Sequence, residues 1–370
     1  MKHEHLLVIR FSALGDVAMM VPIIWALARQ YPNLRITVLS RPVSHTFFED
    51  LAPNVNFMGA DIKGEYHGVQ GLNALYRRLK AKQFTAVADL HNVLRSEYLR
   101  LRFNLGLLRV EHIDKHRNLR RKLTHSSDKR LVQPLPTSFD NYLDVFRRLG
   151  YPIAPENLCF RSIFQSSPAD CGTAAVTPKP TGNLNLLPKG LETKNAGEQW
   201  IGIAPFAAHK GKIYPKEKMQ QVIEQLISQN PHCRIFLFGR GPQEDQTFDE
   251  WTARMPQCTF VGKHLDSMYQ ELILMSHLDV MVSMDSAMMH MASLTATPVV
   301  SVWGATHPKA GFMGWGQQLQ NAVQVDLDCR PCSIFGNKTC QRGDYACLNQ
   351  ISPEQILEKI NRVLTEQNKS

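Results

Sequence analysis

The sequence predicts an α/β protein built from two doubly wound parallel sheets, and three observations carry that expectation. Short apolar runs alternate with segments of helical spacing in two separate series, one before Tyr151 and one from Trp200 onward. Between them lies a stretch rich in Pro, Gly, Ser, Thr and Asn with no sustained apolar period, residues 166–198. The chain has 370 residues, 44% of them apolar and 20% charged, enough for two domains that each bury a core.

In the first series LLVIRF (6–11), LRITVLS (34–40), NVNFMGA (54–60) and FTAVADL (84–90) are strand-like, and residues 17–31 and 72–82 carry helical spacing. The second series runs WIGIAPF (200–206), RIFLFG (234–239), CTFVG (258–262), LDVMVSMD (278–285) and PVVSVWG (298–304), with helices expected over 216–229 and 266–275. Residues 351–366 form a last helix, opened by Ser352 and Pro353 as N-cap and first-turn residue. The expected organisation is a first domain over 1–165, a linker with an insertion over 166–198, a second domain over 199–350 and a terminal helix over 351–370, the two domains facing a cleft.

Sheets of this kind bind ligands where strands end and helices begin. Two such places stand out. Around Met281 to Pro308 an apolar strand runs into Asp285 and Ser286, a helix opens at Ser286, and His290 follows one turn in. Free N–H groups, a hydroxyl, an imidazole and a carboxylate together suit a phosphorylated ligand. Near the N-terminus the first strand ends in Arg10 and Phe11 and passes through Ser12, Leu14 and Gly15 to Asp16 at a helix start. Gly15 allows positive φ or close backbone approach, and Asp16 is either a helix cap or a carboxylate aimed at the cleft. Met281, Met284, Met288, Met289 and Met291 read as core filler.

The net charge of +9 is uneven. Between Arg77 and Arg130 fifteen Lys/Arg face five Asp/Glu, a local +10 that leaves the remainder near −1. A solvated face, an acidic acceptor and an anionic membrane surface all fit this run. Nucleic acid fits least, because no interleaved aromatics or binding motif accompany it. No apolar run approaches the roughly 20 residues of a membrane span, and the N-terminus turns polar too soon for a signal peptide, so a cytoplasmic protein is expected. Cys329, Cys332, Cys340 and Cys347 are spaced for either a thiol cluster or a tetrahedral zinc site.

Four motifs in order across more than 300 residues resemble the heptosyltransferase family, inverting glycosyltransferases that move a heptose from ADP-heptose onto lipopolysaccharide core. Ser12, Leu14, Gly15 and Asp16 match the family's SxLGD loop, and DLHNVLRS (89–96) is similar to its DLQGLLRS-like strand end. KIYP (212–215) stands where the family has KxWP, and DSAMMHMASLTATPVVSVWGATHP (285–308) resembles DSGPMHLAAALGTPVVALFGPTDP. Cys329-Arg330-Pro331-Cys332 matches the start of a cysteine-bearing tail found in many members.

The resemblance implies two Rossmann-like domains in the GT-B architecture. It implies Asp16 as general base and Lys212, supported by Lys210, as the counter-charge for the departing diphosphate. Ser286 with the backbone N–H groups of residues 286–290, those of Ala287 and Met288 among them, would hold the phosphates, and Asp285 and His290 would orient donor hydroxyls or phosphate. Ser12, Gly15, Arg95 and Arg120 would meet the acceptor, with Arg100, Arg102, Arg117 and Arg121 as further contributors to phosphate or membrane contact. No metal and no cofactor enters this scheme, and nothing in the chain demands more than a monomer. Ala287 replaces the family's Gly, which keeps a different nucleotide sugar open as donor; a lapsed nucleotide-sugar-binding protein is the non-enzymatic alternative.

Overall fold

The computed structural model describes residues 4–126, 129–165 and 179–367. Contacts divide the chain into two compact units, Met1–Lys115 with Pro136–Thr177, and His116–Leu135 with Pro178–Ser370.

In the first unit β1 (His5–Ile9), β2 (Arg35–Ser40), β3 (Val55–Gly59), β4 (Ala86–Asp89) and β5 (Arg109–His112) form a parallel sheet in the order β3-β2-β1-β4-β5. The sequences of β1 and β4, HLLVI and AVAD, are buried at every position, as a central strand covered on both faces requires. Helices α1 (Leu14–Ala18), α2 (Val21–Gln30), α3 (Gly68–Lys80) and α4 (Leu94–Asn104) lie in this unit; α5 (Arg117–His125) belongs to the other, and α6 (Ser138–Arg148) returns to the first. In α3 Leu72, Leu75, Tyr76 and Leu79 are buried while Arg77, Arg78 and Lys80 face solvent. Thr137 and Asp140 close a reciprocal capping box that starts α6, with N···O distances of 3.1 and 2.8 Å.

The second unit repeats the plan. Here β6 (Trp200–Ala204), β7 (Arg234–Leu237), β8 (Cys258–Phe260), β9 (Val280–Met284), β10 (Val299–Val302) and β11 (Ala322–Val323) pair in parallel in the order β11-β10-β9-β6-β7-β8. Around them lie α7 (Lys216–Gln229), α8 (Pro242–Arg254), α9 (Met268–Ser276), α10 (Ala287–Ser293), α11 (Ala346–Asn349) and α12 (Pro353–Gln367). Ile356, Leu357, Ile360, Val363 and Leu364 of α12 enter the same core as β6, β9 and α7, so the terminal helix is part of this unit. In each sheet the strand order reverses once, between β1 and β4 and between β6 and β9. Loops leaving those strands part to opposite faces and open a crevice at their carboxyl ends.

Several elements differ from the sequence expectation. The helix expected over 17–31 is two, α1 and α2, and the edge strands β5 and β11 lack the apolar runs that mark the others. Residues 116–135, placed by sequence in the first domain, pack with the second unit. Residues 166–178 of the expected linker lie outside the described residues. The rest of it is fastened to the second unit: Lys179 donates to Thr297 Oγ1 at 2.8 Å, Gly182 N–H to Ser276 Oγ at 2.9 Å, and Lys194 pairs with Asp279 at 2.7 Å. Burial holds the Lys179 ammonium down to about 7. Among the described residues no helix is long and apolar enough to cross a membrane. Cys159 is disulfide-bonded.

Candidate active site

At the first reversal, β1 delivers Arg10 and β4 delivers Asp89. Arg10, 8% exposed, donates to the Leu90 carbonyl and pairs with the Asp16 carboxylate at 2.7 Å. Asp16 stands in the first turn of α1; its carboxylate also accepts the Ala13 N–H at 3.2 Å, and its carbonyl accepts the Tyr142 hydroxyl at 3.1 Å. It therefore does serve the helix start, while its side chain remains partly open to solvent. Burial opposes the Arg10 charge, yet Asp16, with Tyr142 and Asp89 adding to it, holds its pKa above the ordinary value.

The neighbouring loop is shaped by Asp89. Its buried carboxylate accepts the backbone N–H groups of His91 at 3.0 Å and Asn92 at 2.9 Å and lies 3.5 Å from Arg100. This turn presents His91 to β1: the Phe11 N–H donates to Nδ1 at 3.4 Å, and Nε2 lies 3.2 Å from Ser12 Oγ. Desolvation, with Arg10 and Lys115 adding repulsion, lowers the imidazole pKa to about 3, so the ring is neutral. A neutral ring that accepts at Nδ1 carries its proton on Nε2 and donates to Ser12, which leaves the Ser12 hydroxyl proton for another acceptor. Arg95 is exposed in the first turn of α4, close enough to add to the repulsion on His91. Gly15 is buried within α1 and has no positive φ.

At the second reversal, β9 runs into Asp285, 3% exposed, whose carboxylate pairs with Lys212 Nζ at 2.9 Å. Ser286 is the N-cap of α10, with its hydroxyl 3.2 Å from Ser283 Oγ. Ser286, Ala287 and Met288 are only partly buried, whereas Met289 and His290 point inward. Ala287 begins α10 with no positive φ, so its methyl group causes no backbone strain. Lys212 reaches Asp285 from a short turn, residues 210–212, that follows β6. Gly211 packs there so closely that a Cβ would meet the Gly336 carbonyl at 2.8 Å, and the Lys212 stem crosses Gly336, whose φ is +76°. Lys210 instead projects over the Tyr345 ring at 5.2 Å. Tyr214 is fully buried with its hydroxyl on the Ile351 carbonyl at 3.1 Å, which anchors the lysine turn to the core.

Residues 72–342, nearly three quarters of the chain, match glycosyltransferase family 9 (heptosyltransferase). The chain belongs to this family. It is similar to lipooligosaccharide heptosyltransferase 2 of Campylobacter jejuni, 25% identical over 134 residues that cover 35% of this chain and 41% of that protein. The match to lipopolysaccharide heptosyltransferase 3 of Escherichia coli is longer, 25% over 325 residues, 84% of this chain and 85% of that one. Among solved structures, the glycosyltransferase family 9 protein of Veillonella parvula superposes with a TM-score of 0.73 at 18% identity, covering 99% and 98% of the two chains. ADP-heptose lipopolysaccharide heptosyltransferase II of E. coli gives 0.64 at 19%, covering 98% and 99%. The two Rossmann-like units of this glycosyltransferase are thus the GT-B fold.

Within the family 9 enzyme the motif residues fall into two groups: Ser12, Gly15, Asp16 and Arg95 at the first reversal, and Lys212, Asp285, Ser286, Ala287, Met288 and His290 at the second. Arg120 joins neither. It lies in the second unit with its guanidinium over the rings of Phe312 and Phe335, at 5.6 and 5.5 Å. Cys329, Cys332, Cys340 and Cys347 are free thiols, and no group of three or more His, Cys, Asp or Glu among the described residues is placed to hold a metal ion. Arg330 between them donates to the Gly304, Trp303 and Thr306 carbonyls at 2.6, 3.1 and 3.0 Å, tying this tail to the end of β10. Arg10, His91 and Arg330 were given no role by sequence; the His in DLHN was one available signal and the nearness of Arg10 to Asp16 another, whereas Arg330 acts through carbonyls 24–27 residues away.

Proposed function

We propose that this glycosyltransferase moves a heptose from ADP-heptose to a lipopolysaccharide core acceptor with inversion at the anomeric carbon. The observation that carries the reading is the Asp16 carboxylate at the first sheet's reversal, held by Arg10 and the Ala13 N–H yet still partly open. The acceptor hydroxyl gives its proton to Asp16 as its oxygen bonds to the anomeric carbon; the bond from that carbon to the diphosphate breaks, and ADP leaves with the electron pair. Lys212 meets the charge that grows on the diphosphate, while Ser286 and the N–H groups of Ala287 and Met288 bind its oxygens. Asp285 orients Lys212, His290 supports the same loop, and Lys210 adds positive charge nearby.

On the acceptor side, Ser12 donates its hydroxyl proton and Arg95 pairs with phosphate, with Gly15 fixing the loop. Arg120, engaged with Phe312 and Phe335, has no acceptor role in this scheme. The enzyme acts as a monomer at the cytoplasmic face of the inner membrane, where a lipid-anchored acceptor is presented. The test is ADP release from ADP-heptose, against UDP- and GDP-sugars, with heptose-deficient lipopolysaccharide as acceptor. Release that needs both acceptor and Asp16 supports the proposal. Turnover with another nucleotide sugar alone would replace the donor, and near-normal turnover of Asp16→Ala would remove Asp16 from the mechanism.

A further inference from the structure

The outward face of α4 is apolar where a helix in water should be polar. Ser96, Leu99 and Phe103 are buried on one side; on the opposite side Leu94, Leu101 and Leu105, spaced by seven and four residues, form one line. These leucines are 85%, 57% and 74% exposed, and Leu107, just beyond the helix, is 94% exposed. Single exposed leucines are ordinary, but three aligned along roughly 17 Å, with a fourth just past the helix end, are a patch.

The end of α4 sharpens the point. Leu107 N–H bonds to the Asn104 carbonyl at 2.9 Å and Leu108 N–H to that of Phe103 at 3.4 Å, a Schellman closure that puts Leu107 at the left-handed position with φ +58°. Glycine is favoured there, yet Gly106 stands one residue earlier and the strained position carries a side chain that touches water. Leucine at that place stabilises nothing within the chain.

Positive charge borders the patch. Asn73 of α3 accepts from Tyr98 at 2.6 Å and from Arg102 at 2.7 Å, so this side of α3 lies against α4. Arg77 and Lys80 follow Asn73 by four and seven residues on the same side and are exposed. Between residues 77 and 109 eight Lys/Arg meet two Asp/Glu, and one of these, Asp89, is fully buried. An apolar line bordered by cations complements an anionic lipid surface, the leucines entering the headgroup boundary and the cations meeting phosphates.

We infer that the outer face of α4, with Leu94, Leu101, Leu105 and Leu107 and the cations Arg77 and Lys80, docks this enzyme on an anionic lipid bilayer. With α4 lying along the membrane, its N-terminal turn brings Arg95 and the adjacent Ser12–His91 pair to the lipid boundary, where a lipid-anchored acceptor enters. That purpose rests on the proposed acceptor; the docking surface does not.

The test is flotation of the full chain, without donor or acceptor, on phosphatidylcholine vesicles with and without about 30% phosphatidylglycerol. Wild type should float with the anionic vesicles. Leu94→Gln/Leu101→Gln should bind about tenfold less or weaker still, and Arg77→Gln/Lys80→Gln should lose binding that added salt also removes. Leu107→Gly should weaken binding while raising thermal stability, which excludes misfolding as the cause. Equal flotation of wild type and the leucine variants overturns the inference, as does absence of wild-type binding; a dimer that Leu101→Gln disperses would then assign the face to a second copy of the chain. If these vesicle results hold but no heptose is transferred, the proposed reaction fails and the docking surface stands.

Discussion

Asp16 holds the first turn of α1 and is proposed to take the acceptor proton, and the two roles separate by substitution. Asparagine keeps an oxygen for the Ala13 N–H but has no basic carboxylate. Asp16→Asn is expected to fold and bind ADP while turnover falls by about 10²–10⁴, measured as ADP release. Lys212 likewise has a structural share, because removing it strands the buried Asp285 charge. Lys212→Met should cost on the order of 3 kcal/mol in urea denaturation, and adding Asp285→Asn should recover more than half of it without restoring turnover. A double variant no more stable than the single one would show that the ion pair is not what Lys212 contributes to the fold. The positions of Asp16, Lys212, Asp285 and Ser286 beside strand ends were legible because each sits in a local motif. Arg10 and His91 were not assigned roles, because the contacts that fix them in place, Arg10 with the Leu90 carbonyl and His91 with the Phe11 N–H, reach 80 residues across the β1–β4 pair.

Strands were legible wherever the chain carries an apolar run, which includes the edge strands β3 and β8 as well as the seven inner strands. The edge strands β5, with the sequence RVEH, and β11, only two residues long, carry no such run, as an edge position permits. Helix boundaries followed caps: α12 begins where Ser352 N–H donates to Gln355 Oε1 at 2.9 Å, as its sequence predicts. The split between α1 and α2 was hidden, since Met19, Met20 and Val21 continue the apolar pattern through the break. Leu107→Gly relieves a left-handed leucine whose side chain makes no use of burial, and should stabilise the protein by about 1 kcal/mol in urea denaturation. An unchanged or lowered midpoint would mean that the leucine is supported within the chain after all.

The two units carry separate acid sensitivities. In the first, burial and the charges of Arg10, Lys115 and Arg95 hold His91 at about 3, with Asp16 opposing. In the second, burial and the charges of Arg330 and Lys309 hold His307 at about 4, with Asp326 opposing, and its Nδ1 accepts the Lys309 N–H at 3.0 Å. Both rings are neutral when folded and titrate near 6.5 when unfolded. Between pH 6.5 and these lowered values the unfolded chain therefore binds more protons, so the stabilisation is whole above pH 6.5 and is lost as pH falls. For His91 the loss at pH 5 amounts to at most about 2 kcal/mol. His307, more open to water, contributes less. Unfolding followed by calorimetry at pH 8 and pH 5 should show a drop that His91→Gln reduces in the transition of the first unit alone. The same drop in the variant would place the acid sensitivity elsewhere, and with it the claim that a neutral His91 holds Ser12 as a donor.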